Sequence, residues 1–241
     1  MTAPVRAMIG GMLTRLLGMA GLARETLSVR AALERCARRG PDIGTVIDIG
    51  ASNGVWSLKA RRFFPRSCFF LVEAQAAHEA ALKKVKAANP RFDYIISAAG
   101  DRDGEIYFDA SDLFGGVASR TPLEQNSVSV AVRSLDSLVN ERSLTPPFLL
   151  KLDTHGFEVP IIEGARKALC QTALLIVETY NFKLTSDSLR FHEMCSFLES
   201  RGFRCIDLCE PMHRPKDEAF WQVDLFFVPA ARAEFKSNTY E

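Results

Sequence analysis

The stretch TVIDIGASNG (45–54) is a short apolar run that stops at a glycine. Thr, Val and Ile around a single Asp suit a strand buried on both faces, as in a parallel sheet. VWSLKARRFF (55–64) follows with helical spacing and ends at Pro65. The same strand-then-helix texture recurs downstream. CFFLVE (68–73) reads as a strand, and AAHEAALKKVKAA (76–88) as a helix stopped by Asn89-Pro90. FDYIISA (92–98) reads as a third strand, FLLKLD (148–153) as a fourth and ALLIVE (173–178) as a fifth. VPIIEGARKAL (159–169) and LRFHEMCSFLESRG (189–202) supply helices, and FRCIDLC (203–209) and QVDLFFVP (222–229) close the pattern as strands. Alternation of this kind predicts an α/β fold: a doubly wound, mostly parallel, seven-stranded sheet.

Between the third and fourth core strands the texture changes. GEIYFDA (104–110) and NSVSVAVRSL (126–135) alternate apolar and polar residues, with DLFGGVAS (112–119) as a glycine-containing loop between them. This predicts an antiparallel hairpin insertion. LDSLVNE (135–141) reads as a short helix.

The chain has 241 residues, 47% hydrophobic and 24% charged, an ordinary globular composition with a sizeable core. A net charge of +1 gives no general attraction to nucleic acid, which is not expected as a partner. The charge is uneven, however: residues 1–40 hold seven Arg and two Glu. AMIGGMLTRLLGMAGLA (7–23) is apolar but cut by Arg15 into runs too short to span a bilayer. Residues 1–41 therefore read as a helical extension, with 42–241 as the domain. The extension either lies over the domain or rests weakly on a membrane surface through Arg6, Arg15 and Arg24. Six scattered Cys without a C-x-x-C pair point to free thiols and a cytoplasmic setting, peripheral to the inner membrane if the extension binds there. Cys205, Cys209 and His213 form C-x3-C-x3-H but lack a fourth metal ligand. Oligomeric state is not encoded in any visible motif.

In doubly wound sheets ligands bind beyond the carboxyl ends of the strands, where strand order reverses. Those ends hold the candidate site. After the first strand, Asp48, Gly50, Ala51, Ser52 and Gly54 form an acidic-x-Gly-x-x-x-Gly turn. Gly50 permits the tight turn and Gly54 the close start of a helix. The dinucleotide fingerprint G-x-G-x-x-G does not fit, since Ser52 and Val55 occupy its later glycine positions. Glu73 ends the second strand, where an acid accepts from both ribose hydroxyls or else faces the dipole of the next helix. After the third strand, Ser97, Ala98 and Ala99 leave room for a flat adenine, and Asp101 either reaches its amino group or starts the turn.

The fourth strand carries Lys151 and Asp153, with His155 two residues on. At strand period the three point one way. Buried charges are costly unless paired, so Lys151 and Asp153 read as an ion pair, structural or part of a site. His155 is the residue suited to proton transfer near neutral pH. Glu158 follows on the same loop, and Glu178 and Tyr180 end the fifth strand. These residues should line the same mouth. No metal is expected, and a metal bridging Asp153 and Glu178 is the lesser alternative.

These motifs resemble the FkbM family of S-adenosylmethionine-dependent methyltransferases. The family's D-[VI]-G-A-[NS]-x-G is matched at Asp48, Gly50, Ala51, Ser52 and Gly54, and its acid after the second strand at Glu73. Its A-x-x-D-x-D-G resembles AAGDRDG (98–104), and its K-[IL]-D-[VT]-[EQ]-G-x-E with L-x-G-A resembles KLDTHGFEVPIIEGA (151–165). His155 departs from the family's Glu or Gln. The resemblance, over residues 45–229, implies a class I, Rossmann-like methyltransferase fold with S-adenosyl-L-methionine as cofactor. It further implies O-methylation of a small-molecule, glycan or lipid hydroxyl. Asp48, Gly50, Ala51, Ser52, Gly54, Glu73, Ala98 and Asp101 would hold the cofactor. Asp153 or His155 would act as base, with Lys151 holding Asp153 and with Glu158, Glu178 and Tyr180 about the acceptor. A nicotinamide oxidoreductase or a non-catalytic module of the same fold are the competing readings.

Overall fold

The computed structural model of the chain describes residues 26–123 and 127–240. Most of the proposed N-terminal extension, with Arg6, Arg15 and Arg24, lies outside the described residues.

Strands β1 (Thr45–Ile49), β2 (Cys68–Glu73) and β3 (Phe92–Ile96) run parallel, with β1 paired to β2 and β2 to β3. The chain then returns to the other side of β1, where β8 (Phe148–Leu152) pairs in parallel with β1 and β9 (Thr172–Tyr180) with β8. Strand β11 (Phe220–Pro229) is antiparallel to β9 and to β10 (Phe203–His213). The seven-stranded order is β10-β11-β9-β8-β1-β2-β3. The direction of winding reverses between β1 and β8, so the ligand crevice lies past their carboxyl ends.

Both faces of this sheet are covered, which is why its strands are apolar at nearly every position. Ile47, Ile49, Phe70 and Val72 pack on one face with Ile161 and Leu198. Val46, Phe69, Leu71 and Leu149 pack on the other with Leu33 and Leu82. Each such fully buried side chain contributes about 1.5–3 kcal/mol. Helix α1 (Val29–Arg38) closes part of the second face through Ala32, Leu33 and Cys36. Ser28 caps it, and Arg35 forks both oxygens of Asp207 on β10 at 2.8 Å. Helices α2 (Val55–Ala60) and α3 (Glu79–Ala88) follow β1 and β2.

The insertion is larger than the expected hairpin. Strands β4 (Ala98–Gly100), β5 (Gly104–Asp109), β6 (Val117–Ser119) and β7 (Ser127–Ser134) form a second sheet, ordered β4-β7-β5-β6. β5 and β7 are the antiparallel pair read from the alternation. The third core strand stops at Ile96 rather than running to Ala98. Ser97 turns the chain there, its hydroxyl bonding the Ala131 carbonyl at 3.0 Å and so joining the two sheets. Helix α4 (Leu135–Glu141) leads back to β8.

The helix expected over 159–169 is broken into α5 (Glu158–Glu163) and α6 (Arg166–Leu169). The break falls at Gly164, whose backbone lies so close to the Gly100 carbonyl that any Cβ would collide with it. Asp136 then caps α6, accepting from the Lys167 and Ala168 amides at 2.9–3.0 Å. α7 (Phe191–Glu199) covers the sheet beyond β9. No described helix is long and apolar enough to cross a membrane. All six cysteines are free.

Candidate active site

Asp48 is fully buried in β1 and accepts a 2.7 Å bond from Ser57 on α2. Burial raises its pKa, and Lys151 opposes that rise. The chain then turns at Gly50, with φ of 77°. A Cβ there would collide with the Asp153 carbonyl, so glycine is what lets the β1 and β8 ends meet. Gly54 caps α2 and packs on Leu71 and Leu82.

Glu73 reaches back from the end of β2 to this turn. Its two oxygens accept from the Ser52 amide at 2.6 Å and the Gln75 amide at 2.8 Å. The carboxylate is thereby fixed in place on the wall of a cavity of about 180 Å³. Gly50, Ser52, Ala98, Asp153 and His155 share that wall, and Ile49, Phe157 and Ile161 supply apolar surface.

A roof covers the cavity, and it was not read from the sequence. The carbonyls of three consecutive residues, Asp112 to Phe114, are held by side chains from below. Gln75 Nε2 donates to Asp112 O at 3.0 Å, and Nε2 of His78 lies 2.8 Å from Leu113 O. Nε2 of His155 lies 3.0 Å from Phe114 O. Gln75 and His78 follow within a few residues of Glu73, and Gly115-Gly116 ends the loop. Those two features were the available signals.

At the end of β8, Lys151 is 4% exposed and lies 2.7 Å from Asp153 Oδ2 and 3.5 Å from Asp48 Oδ1. Burial works against its charge, but Asp153 and Asp48 carry its pKa above the ordinary value. Burial likewise opposes the charge on Asp153, yet Lys151 holds its pKa below the usual range. β8 ends at Leu152, so His155 does not continue a strand-period line. It reaches the site through a left-handed backbone, with φ of 52°. Its Nδ1 lies 2.8 Å from the Tyr180 hydroxyl and 3.2 Å from Glu178 Oε2. Burial pushes the imidazole's pKa down, but the bond to Glu178 and the charges of Glu178 and Asp153 raise it to about 9. Both ring nitrogens are engaged, an arrangement poorly suited to a general base.

The other predicted site residues take different places. Lys151, Asp48, Ala51 and Gly54 sit behind the cavity wall and shape it. Asp101 is not on the wall; it pairs with Arg120 at 3.2 Å on the partly exposed edge of the insertion, because the chain has already left the core sheet at Ser97. Glu158 is buried and accepts from Thr154 Oγ1 and the Gly156 amide at 3.1 and 3.0 Å. It closes its own loop rather than facing an acceptor. Glu178 and Tyr180 lie behind His155, with the Tyr180 hydroxyl donating to Glu178 Oε2 at 2.5 Å. Burial, with Glu178 adding to it, keeps that phenol protonated. Cys205 is exposed and Cys209 buried. Among the described residues, the group of metal-type donors that converges is Asp153, His155 and Glu178.

A switch-point crevice carrying a glycine turn, a fixed acid after β2 and an apolar slot defines a class I, Rossmann-like methyltransferase. Residues 48–205 match the methyltransferase FkbM domain, and the chain belongs to that family. S-Adenosylmethionine is its cofactor. The donor set fits it: a fixed carboxylate for the ribose, and small and apolar residues for the base. No curated protein matches the chain in sequence. Among solved structures, it resembles a precorrin-6y C5,15-methyltransferase from Geobacter metallireducens at 13% identity, over 83% of this chain and 87% of that one, with a TM-score of 0.45. It resembles TrmK of M. capricolum in complex with S-adenosyl-homocysteine at 10% identity, over 85% and 69%, with a TM-score of 0.48. The fibrillarin pre-rRNA processing protein of Methanococcus jannaschii matches at 10% identity, over 79% and 68%, with a TM-score of 0.50. At these identities the likeness is one of fold. It is shared by 515 solved chains and names no acceptor.

Proposed function

We propose that the protein methylates a hydroxyl group on a sugar or glycan, a lipid or a natural-product small molecule. Bound S-adenosylmethionine supplies an electrophilic methyl group. The observation that carries the reading is the Lys151–Asp153 pair at 2.7 Å, which leaves an ionised, one-third exposed carboxylate on the cavity wall.

In this reading Glu73 holds the ribose hydroxyls and Ala98 leaves space for the base. Asp153 faces the acceptor hydroxyl, and Lys151 keeps it ionised and turned. The engagement of both His155 nitrogens favours Asp153 over His155 as the group that takes the proton. Positioning of the acceptor supplies the larger share of the rate, with a base adding about 10²–10⁴-fold. Glu178 and Tyr180 act on the acceptor through His155.

Residues 1–41 serve as an extension to the domain at 42–241 in this account. The extension lies over the domain, as Val29–Arg38 does, and Arg6, Arg15 and Arg24 offer at most a weak contact to an anionic membrane surface. The decisive experiment is a labelled-methyl screen over glycans, lipids and small molecules, followed by base treatment of the product. A base-stable methyl ether supports the reading, and labelled nucleic acid, or an ester or N-methyl product, defeats it.

A further inference from the structure

We propose that Asp153, His155 and Glu178 form a binding site for one divalent cation of the Mn²⁺ type, and that this cation receives the acceptor hydroxyl. The proposal rests on the O-methylation reading and departs from the metal-free expectation drawn from the sequence.

The first observation is convergence. One donor atom from each of the three side chains lies within 4.8 Å of the other two. They come from the ends of adjacent strands: Asp153 and His155 after β8, Glu178 near the end of β9. Two of them, Asp153 and His155, line the cavity.

The second observation is that each donor is oriented from outside the group. His155 Nε2 is taken by the Phe114 carbonyl at 3.0 Å, which turns Nδ1 toward the Tyr180 hydroxyl at 2.8 Å and Glu178 Oε2 at 3.2 Å. Gln222 Nε2 donates to Glu178 Oε1 at 2.6 Å, and Oε2, which also accepts from the Tyr180 hydroxyl at 2.5 Å, faces the imidazole. Lys151 takes Asp153 Oδ2 and leaves Oδ1. A histidine whose second nitrogen is held by a carbonyl, and carboxylates held by their own partners, are the usual outer supports of metal ligands.

The third observation is charge. Asp48 and Asp153 flank Lys151, and Asp224 lies in register with Glu178 across β11 and β9. Carboxylates outnumber the cationic side chains in this buried corner, and a divalent ion balances them. Two carboxylates and one imidazole suit Mn²⁺ and related ions, whose remaining positions hold water or substrate oxygen. A hydroxyl bound to such an ion is more acidic than a free one.

The test is titration of the full chain with Mn²⁺, followed by calorimetry and by the loss of the free-ion paramagnetic resonance signal. One ion per chain is expected. Glu178→Gln and His155→Ala are expected to weaken binding at least tenfold. Gln222→Leu, which removes only an outer contact, is expected to weaken it by about 10–100-fold. Denaturation curves confirm that each variant is folded, and Gln222→Leu keeps the test alive if either ligand variant is not. No saturable Mn²⁺ binding, or binding equal in all variants, overturns the proposal. Cofactor titration in chelator separates the two claims. S-Adenosylmethionine bound with no cation site leaves the methyltransferase reading standing alone. Failure to bind the cofactor defeats the reading itself.

Discussion

Lys151 Nζ and Asp153 Oδ2 lie 2.7 Å apart, with the lysine 5% and the aspartate 32% exposed. The lysine also lies 5.2 Å from the centre of the Trp56 ring. A buried cation thus sits under a carboxylate that reaches the cavity. Replacing Lys151 by Met leaves Asp48 and Asp153 without their shared cation. Removing one partner of a buried ion pair costs about 3–5 kcal/mol. Urea denaturation is expected to show a loss in that range. Unchanged stability would mean the pair is not the anchor of the β8 end.

Glu73 holds two amides of the cofactor turn. Glu73→Ala removes both bonds and the carboxylate proposed to hold the ribose. With bonds to charged groups at about 1.5–3 kcal/mol each, cofactor affinity is expected to fall at least tenfold. Calorimetric titration with S-adenosylmethionine measures it, and affinity within a factor of two of wild type would remove Glu73 from the cofactor site.

Gly50 meets the Asp153 carbonyl with no room for a Cβ. Gly50→Ala is expected to cost more than the roughly 1–2 kcal/mol of a left-handed non-glycine residue, because β1 and β8 must also part. Both thermal stability and cofactor binding should drop together. A loss of binding with stability intact would point to direct contact with the cofactor instead.

Asp207 joins α1 to β10. Burial opposes its charge, but the Arg35 bonds hold its pKa below the ordinary range. The carboxylate therefore stabilises the docked helix above about pH 4, its unfolded value, and the contribution fades as pH falls through the lower folded value. Asp207→Asn is expected to flatten the acid limb of stability below about pH 4. An unchanged limb would place the acid sensitivity elsewhere.

His78 holds the Leu113 carbonyl, and Ser52 lies 3.4 Å from the same ring nitrogen. His78→Ala is expected to speed amide exchange across residues 112–116 and to quicken cofactor release, with the core strands unaffected. Uniform exchange changes across the sheet would instead signal global destabilisation.

The core sheet was legible because burial on both faces forces near-continuous apolar runs, and Gly50 with Glu73 mark where those runs meet a ligand. The insertion was legible only as alternation. Ala98–Gly100 is a three-residue strand made by pairing with the distant Val132–Ser134, and Val117–Ser119 is one made across a loop from β5; neither is long enough to show as local pattern. Asp101 was misplaced for the same reason: the turn at Ser97 follows from its bond to Ala131, not from its neighbours. The three-residue line of Lys151, Asp153 and His155 was half right. The first two do meet, but the left-handed backbone at His155 breaks strand period. Glu178 was visible as a strand-end acid; its bond to Tyr180 follows from strand period within β9, and its bond to Gln222 from pairing with β11.

The roof over the cavity is gripped by its backbone, through the carbonyls of Asp112, Leu113 and Phe114. The side chains of Leu113 and Phe114 meanwhile are 43% and 62% exposed. Both residues also line the cavity, so the grip on the loop and its contact with what the cavity holds are written in separate parts of the same residues. Libraries that randomise Leu113 and Phe114 should yield enzymes with altered acceptor preference that still shut, which makes this loop the natural place to begin redesign.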